Sequence, residues 1–170
     1  MNQADHRRLR MLGLTAAVLA FVADQASKFA LLHGAGLKDL GPGENIPLLP
    51  FFDLVMVWNP GVSYGLFAAD GPAGTWALVG LTACVVAFMG WYLWKFTNSA
   101  VVAAGCGLII GGGVGNLLDR LIYGRVADFF HFFVFDYDWY VFNIADVAVT
   151  LGAVTFIYDV LKPSESSKDA

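Results

Sequence analysis

The sequence is poor in charge. Only 14% of its 170 residues are Asp, Glu, Lys or Arg, against roughly 25% in an ordinary soluble chain. It has two cysteines, Cys84 and Cys106, and both lie in long apolar runs. That excludes a disulfide framework, and two thiols with no histidine nearby cannot build a zinc site. Its three histidines, His6, His33 and His131, are scattered, so no Ser/His or Cys/His nucleophile is in view. The net charge of −4 has the wrong sign for a nucleic-acid partner. No glycine-rich phosphate loop follows a strand, no long repeat is visible, and the only low-complexity stretch is the polar C-terminal tail.

What is abundant is apolar surface. Hydrophobic residues make up 58% of the chain, and the mean hydropathy is +0.63. A single domain of this length cannot bury that much apolar area in water. The composition therefore predicts a multi-span membrane protein. A span needs about 20 apolar residues. Residues 75–94 and 99–118 meet this without a charge, and the short KFTN between them makes them a helical hairpin. Residues 11–32 and 141–161 are two further spans with polar residues inside: Asp24, Gln25, Ser27 and Lys28 in the first, Asp146 and Asp159 in the last. Arg7, Arg8 and Arg10 ahead of the first run resemble the basic region of a cleavable signal peptide. However, no clean small-x-small site follows, and an uncleaved helix is expected.

Four spans place both termini on one side of the membrane. Arg7, Arg8, Arg10, Lys95, Lys162 and Lys168 then share that side, against Lys38, Arg120 and Arg125 opposite. The positive-inside rule assigns the termini to the cytoplasm. The outward segments are then 33–74 and 119–140. In the first, FFDLVMVW at 51–58 and residues 63–68 read as strands joined at the turn signal WNPG. The aromatic run at 129–142 reads as a belt at headgroup level. The predicted fold is thus a mainly α, single-domain membrane protein, with four transmembrane helices and a small β-sheet on the outer surface. Gly107, Gly111 and Gly115, spaced by four, read as a face for close helix packing and nothing more.

Ionisable residues in a membrane are costly and usually functional. Asp24 lies roughly 20 Å along the first span, and Asp146 about 8 Å into the last. Asn116, Asp119 and Arg120 end the third span, and Asp128 follows in the outer segment. All are delivered to one depth, near the outer face. Within helices the spacing agrees. Asn116, Asp119 and Arg120 stand at i, i+3 and i+4, as do Asp24, Ser27 and Lys28, while Asn143 and Asp146 stand at i, i+3. Carboxylates with amides and one Arg permit one chemistry above others. Two close carboxylates in a low-dielectric site hold one proton between them. The ionised one takes a proton from a water that attacks a carbonyl, and the protonated one polarises that carbonyl. No metal and no cofactor are called for. A transporter or proton channel also gathers carboxylates inside a bundle, and is the alternative. Against it, the middle two spans are apolar through their centres and inner ends.

At this point the residues resemble a known family. VADQASK at 22–28, WNPGVSYGLF at 58–67, GGGVGNLLDRLIYGRVADFF at 111–130 and FNIADVAVTLGAV at 142–154 are similar to lipoprotein signal peptidase, or signal peptidase II, along nearly the whole chain. The resemblance implies four spans, cytoplasmic termini and a small outer sheet in a bacterial inner membrane. It places the catalytic pair on Asp128 and Asp146. It places supporting positions on Asp24, Lys28, Asn59, Gly61, Asn116, Asp119, Arg120 and Asn143, with Pro60 where Thr is commoner. It implies an aspartic endopeptidase that cuts a diacylglyceryl-modified prolipoprotein before the lipidated cysteine. Its partners are then the prolipoprotein and membrane lipid, with no obligate protein partner. Other readings stay open for the supporting residues. Asp24 is read as orienting helices, Lys28 as snorkelling its amine to the interface, and Arg120 as pairing with a carboxylate. Asn59 and Gly61 can also serve only a turn, and Asn116 and Asn143 only helix–helix bonding. Asp136 and Asp138 are read as solvated loop charges.

Overall fold

The computed structural model describes residues 3–41, 43–61, 71–135 and 137–161. In chain order, α1 (Gln3–Phe29) continues through a π-helical turn (Ala30–Gly34) and a short 3-10 turn (Leu37–Asp39) into strands β1 (Asn45–Leu49) and β2 (Phe52–Asn59). Then come α2 (Pro72–Lys95), α3 (Ala100–Tyr123), β3 (Val126–Val134), β4 (Tyr137–Asp138) and α4 (Ile144–Leu161). Three helical stretches are long and apolar enough to cross a bilayer: Gln3–Gly34, Pro72–Lys95 and Ala100–Tyr123.

α3 is the centre of the bundle because its small residues let backbones approach. A methyl group added at Gly107 would strike the Gly13 carbonyl of α1, and one at Gly111 would strike that of Ala17. On the opposite side, a methyl on Gly112 would meet the Ala145 carbonyl, and Gly105 lies against Gly152 and Thr155 of α4. In a membrane, where lipid is as apolar as leucine, this close fit supplies the attraction between helices. Gly115 does more than pack: its missing side chain leaves the room that the Asp24 carboxylate fills. At the hairpin end, Arg10 lies over the Trp94 ring, 4.4 Å from its centroid. It also donates to the Trp94 carbonyl at 2.8 Å, which ties α1 to the end of α2.

The sheet at the other end is antiparallel, in the order β1-β2-β3-β4. It departs from the sequence expectation in two ways. The strand expected at 51–58 is present as β2, but its partners are β1 and β3. The second strand expected at 63–68 lies outside the described residues. The run at 129–142 is not only a belt, since its first part is β3, paired with β2 from Phe52↔Phe132 to Asn59↔Val126. Phe129 is fully buried against Leu37 and Leu54. The physical reason is that aromatic and β-branched residues fit a pleated, half-buried surface as well as they fit an interface. Phe135, Tyr137 and Trp139, at the far end of the run, do remain exposed.

α3 also runs five residues past the expected end at 118. Nothing breaks it before Gly124, which closes it in the left-handed region at φ 70° with its N–H on the Arg120 carbonyl. Asp119 and Arg120 are therefore helical, and β3 starts within two residues of the helix end.

Candidate active site

Three helices and two strands converge at the sheet end of the bundle. The lower layer is a buried ion cluster. Lys28 Nζ lies 2.8 Å from Asp24 Oδ2 on its own helix and 2.8 Å from Asp119 Oδ2 on α3. It also donates to Asn116 Oδ1 at 3.2 Å. Lys28 is 3% exposed, Asp24 0% and Asp119 2%. Lys28 therefore does not snorkel to the interface. Two carboxylates and an amide satisfy its ammonium inside, the condition under which a buried charge is tolerated.

Each buried carboxylate of this cluster also grips a backbone. Asp24 Oδ1 accepts the Ala145 N–H at 3.0 Å, at the start of α4. Asp119 Oδ2 accepts the Ala127 N–H at 3.2 Å, at the start of β3. Ala145 and Ala127 immediately precede Asp146 and Asp128. The cluster thus fixes the chain one residue ahead of each acid.

Above it lies the pair itself. Asp128 is fully buried on β3. Its Oδ1 accepts from Asn143 Nδ2 at 2.6 Å, and its Oδ2 from Asn59 Nδ2 at 2.9 Å. Asp146 Oδ1 accepts from Asn116 Nδ2 at 2.9 Å, and its Oδ2 from the Asn143 N–H at 3.1 Å. The Asn143 side-chain oxygen accepts the Asp146 N–H at 2.9 Å in return. This is a reciprocal capping box at the start of α4, with Asn143 as the cap and Asp146 three residues on. The FNIAD stretch thus sets a helix start and aims a carboxylate at once. Asn143 bridges the two acids, bonding Asp146 through its backbone N–H and Asp128 through its amide. Its amide also lies 3.1 Å from Asn116 Oδ1.

Burial first, and then the charge of Asp146, lift the Asp128 carboxyl from its ordinary 3.8 to about 7. A carboxyl so placed is about half protonated at neutral pH.

Asn59 is both a turn residue and a site residue. Its side-chain oxygen accepts the Gly61 N–H at 2.9 Å, while its amide donates to Asp128 and, at 2.8 Å, to the Tyr140 hydroxyl. Gly61 enters through its backbone, its carbonyl accepting from Arg120 at 2.8 Å. Arg120 does not pair with a carboxylate as expected. Its second bond is to the Asn116 carbonyl at 3.3 Å, and among the described residues no acid lies within ion-pair distance of it. The Gly61 carbonyl takes the place of that acid, so Arg120 ties Gly61 to α3. Asp138 is exposed and lies 3.6 Å from His131 Nε2, whereas Asp136 lies outside the described residues.

Two residues escape the spacing argument. Gln25 donates to Asp24 Oδ2 at 3.0 Å and reaches Asp119 Oδ1 at 3.4 Å. It stands one residue past Asp24, off the i, i+3, i+4 face. Tyr140 sits in the aromatic run, where nothing local distinguishes it from its neighbours. Beside the pair, a cavity of about 290 Å³ opens between α2, α3 and α4. Asn59, Asn116, Arg120 and Asp146 line one part of it, and apolar side chains such as Leu81, Val85 and Val149 line the rest. A water and an extended peptide backbone at the polar part, with an apolar segment below, would fit those walls. Among the described residues no three His, Cys, Asp or Glu side chains converge as a metal-ligand set would.

The bundle, the buried acid pair and the half-apolar cavity define a membrane-embedded hydrolase. Comparison with known proteins carries this further. The family model described as signal peptidase (SPase) II matches residues 16–162. The chain is 42% identical over 161 residues to the lipoprotein signal peptidase of Beijerinckia indica subsp. indica, covering 95% of this chain and 94% of that protein. It is 46% identical over 155 residues to the lipoprotein signal peptidase of Rhodopseudomonas palustris, covering 88% and 92%. A solved bacterial membrane enzyme, determined by the in meso method at 2.3 Å, shares the fold with a TM-score of 0.78 at 24% identity, over 93% of this chain and 92% of that one. The chain belongs to the signal peptidase II family and is a protease.

Proposed function

We propose that this chain removes signal peptides from diacylglyceryl-modified prolipoproteins, cutting before the lipidated cysteine, with Asp128 and Asp146 as its catalytic pair. The observation that carries the reading is Asn143, one residue that bonds both acids, Asp146 through its backbone N–H and Asp128 through its side-chain amide. The relatives act on lipoproteins by name, and the site offers the means. Asp128, titrating at about 7, carries the proton, and Asp146 is the base. A water between them loses a proton to Asp146 as its oxygen bonds to the scissile carbonyl carbon. Asp128 gives its proton to the carbonyl oxygen. As the tetrahedral centre collapses, the C–N bond breaks, the proton on Asp146 passes to the cysteine nitrogen, and one hydroxyl of the gem-diol returns its proton to Asp128. Asn59, Asn116 and Asn143 hold the two carboxyl groups, and Asp24, Lys28 and Asp119 hold the backbone beneath them. Arg120 holds Gly61 beside Asn59. Neither a metal nor a cofactor has a part in these steps.

In the same reading the chain is one membrane domain with four spans, near residues 11–32, 75–94, 99–118 and 141–161. Both termini are cytoplasmic, and the site faces the outer side of a bacterial inner membrane. There a lipid-bearing cysteine and the end of a signal helix meet the acids without leaving the bilayer boundary.

The test is cleavage of a diacylated model substrate by the purified enzyme and by Asp128→Asn and Asp146→Asn variants. Each variant is expected to lose at least about a thousandfold in rate, with its fold retained by circular dichroism. Activity retained in either variant removes that residue from the pair.

A further inference from the structure

A second cavity, of about 570 Å³, lies on the other side of Arg120, between the start of α2 and the end of α3. Arg120 and Arg125 both line it, together with Trp76, Tyr123, Thr75 and Pro60. Its volume falls within the roughly 300–1,000 Å³ of small-molecule sites. Among its described lining residues the charge is one-sided. No carboxylate is among its described lining residues, whereas the cavity beside the acid pair has Asp146. Asp119, Asp128 and Asp146 act on Arg120 from the far side, but none is within ion-pair distance. Arg125 is exposed, and among the described residues it has no hydrogen-bond or ion-pair partner. The Nε of Arg120 is buried and bonds to nothing. A buried donor without an acceptor is rare enough to need an explanation. Here two arginines line one cavity of a chain whose net charge is negative.

The surroundings say what kind of anion fits. The cavity stands at the sheet end of two membrane-spanning helices. Trp76 and Tyr123 at its walls are exposed, and these residue types prefer the headgroup level of a bilayer. Guanidinium groups match phosphate oxygens with paired donors. We propose that this cavity binds the phosphate of a membrane phospholipid with net negative charge, held by Arg125 with Arg120 at its wall. The aromatic rings flank the glycerol and upper chains. Because Arg120 also walls the acid-pair cavity, the occupied site would stand directly beside the substrate, yet its ligand is not the substrate.

The experiment is native mass spectrometry of the full chain in detergent, offered phosphatidylglycerol and phosphatidylcholine together, with thermal unfolding in inorganic phosphate as a parallel arm. Wild type is expected to retain phosphatidylglycerol in preference to phosphatidylcholine. Arg125→Gln is expected to bind it about tenfold more weakly, as loss of a charge-assisted contact requires, and Arg125→Lys to recover part of the loss. Equal melting temperatures of wild type and variants without lipid show that the variants are folded. If instead inorganic phosphate protects wild type, and not Arg125→Gln, while lipid binding is unchanged, the phosphate site stands and its source is a free anion. Equal retention of both lipids with no effect of phosphate, or a variant that binds both ligands as wild type does, overturns the site.

Discussion

α2 and α3 are 24 residues each, and the 18-residue apolar window of each has the same mean hydropathy of 1.8, yet 61% of that window is buried in α3 against 17% in α2. Hydrophobicity makes both long and apolar enough to cross a membrane; it does not decide which one is central. Side-chain size does. The glycines of α3 meet backbone carbonyls of α1 and α4, while Gly80 and Gly90 of α2 face open space. α2 is held at few places and walls both cavities, so the helix with the weakest grip on the bundle borders the places where ligands fit.

The sharpest way to break this comparison is to make the same change on both helices. Gly111→Ala puts a methyl group against the Ala17 carbonyl, where only a backbone shift can relieve it. It is expected to cost about 1–3 kcal/mol or more, seen as a lower unfolding midpoint in detergent. The next effect belongs to the α3 and α4 side of the cavity, because α2 brings no titrating group to it. Activity is expected to fall as pH rises through about 7, where Asp128 loses its proton, by about tenfold per pH unit at the limit. The sign for stability follows. The folded carboxyl titrates above its ordinary 3.8, so Asp128 destabilises the fold increasingly as pH rises from about 4 to about 7. The melting temperature of Asp128→Asn relative to wild type is therefore expected to rise over that window, and a flat difference would remove the assignment. The smallest effect is Gly90→Ala on α2. With nothing near the new methyl, stability is expected to change little, rising by at most about 1 kcal/mol through helix propensity.

Much of the site is legible in the sequence because helices convert spacing into direction. Asn116, Asp119 and Arg120 share a face by arithmetic alone, and FNIAD spells a capping box whose acid is a candidate nucleophile activator. What spacing cannot supply is the identity of a partner on another element. Lys28 reads as a snorkelling lysine until Asp119 of α3 is placed beside it. Arg120 reads as half of an ion pair until the Gly61 carbonyl takes that role. The sheet is the same case. β2 is visible locally, but its pairing with β3 joins strands on either side of a helical hairpin, and no local pattern encodes so distant a neighbour. Gln25 was hidden for a different reason: it reaches the cluster from beside the face rather than along it.

The grip on Ala127 and Ala145 has a mechanical consequence. α1 and α3 hold both attachment points through a single ammonium, so a thicker or thinner bilayer that tilts these helices carries the two acids with them as one body. Their separation is then insulated from the lipid around them.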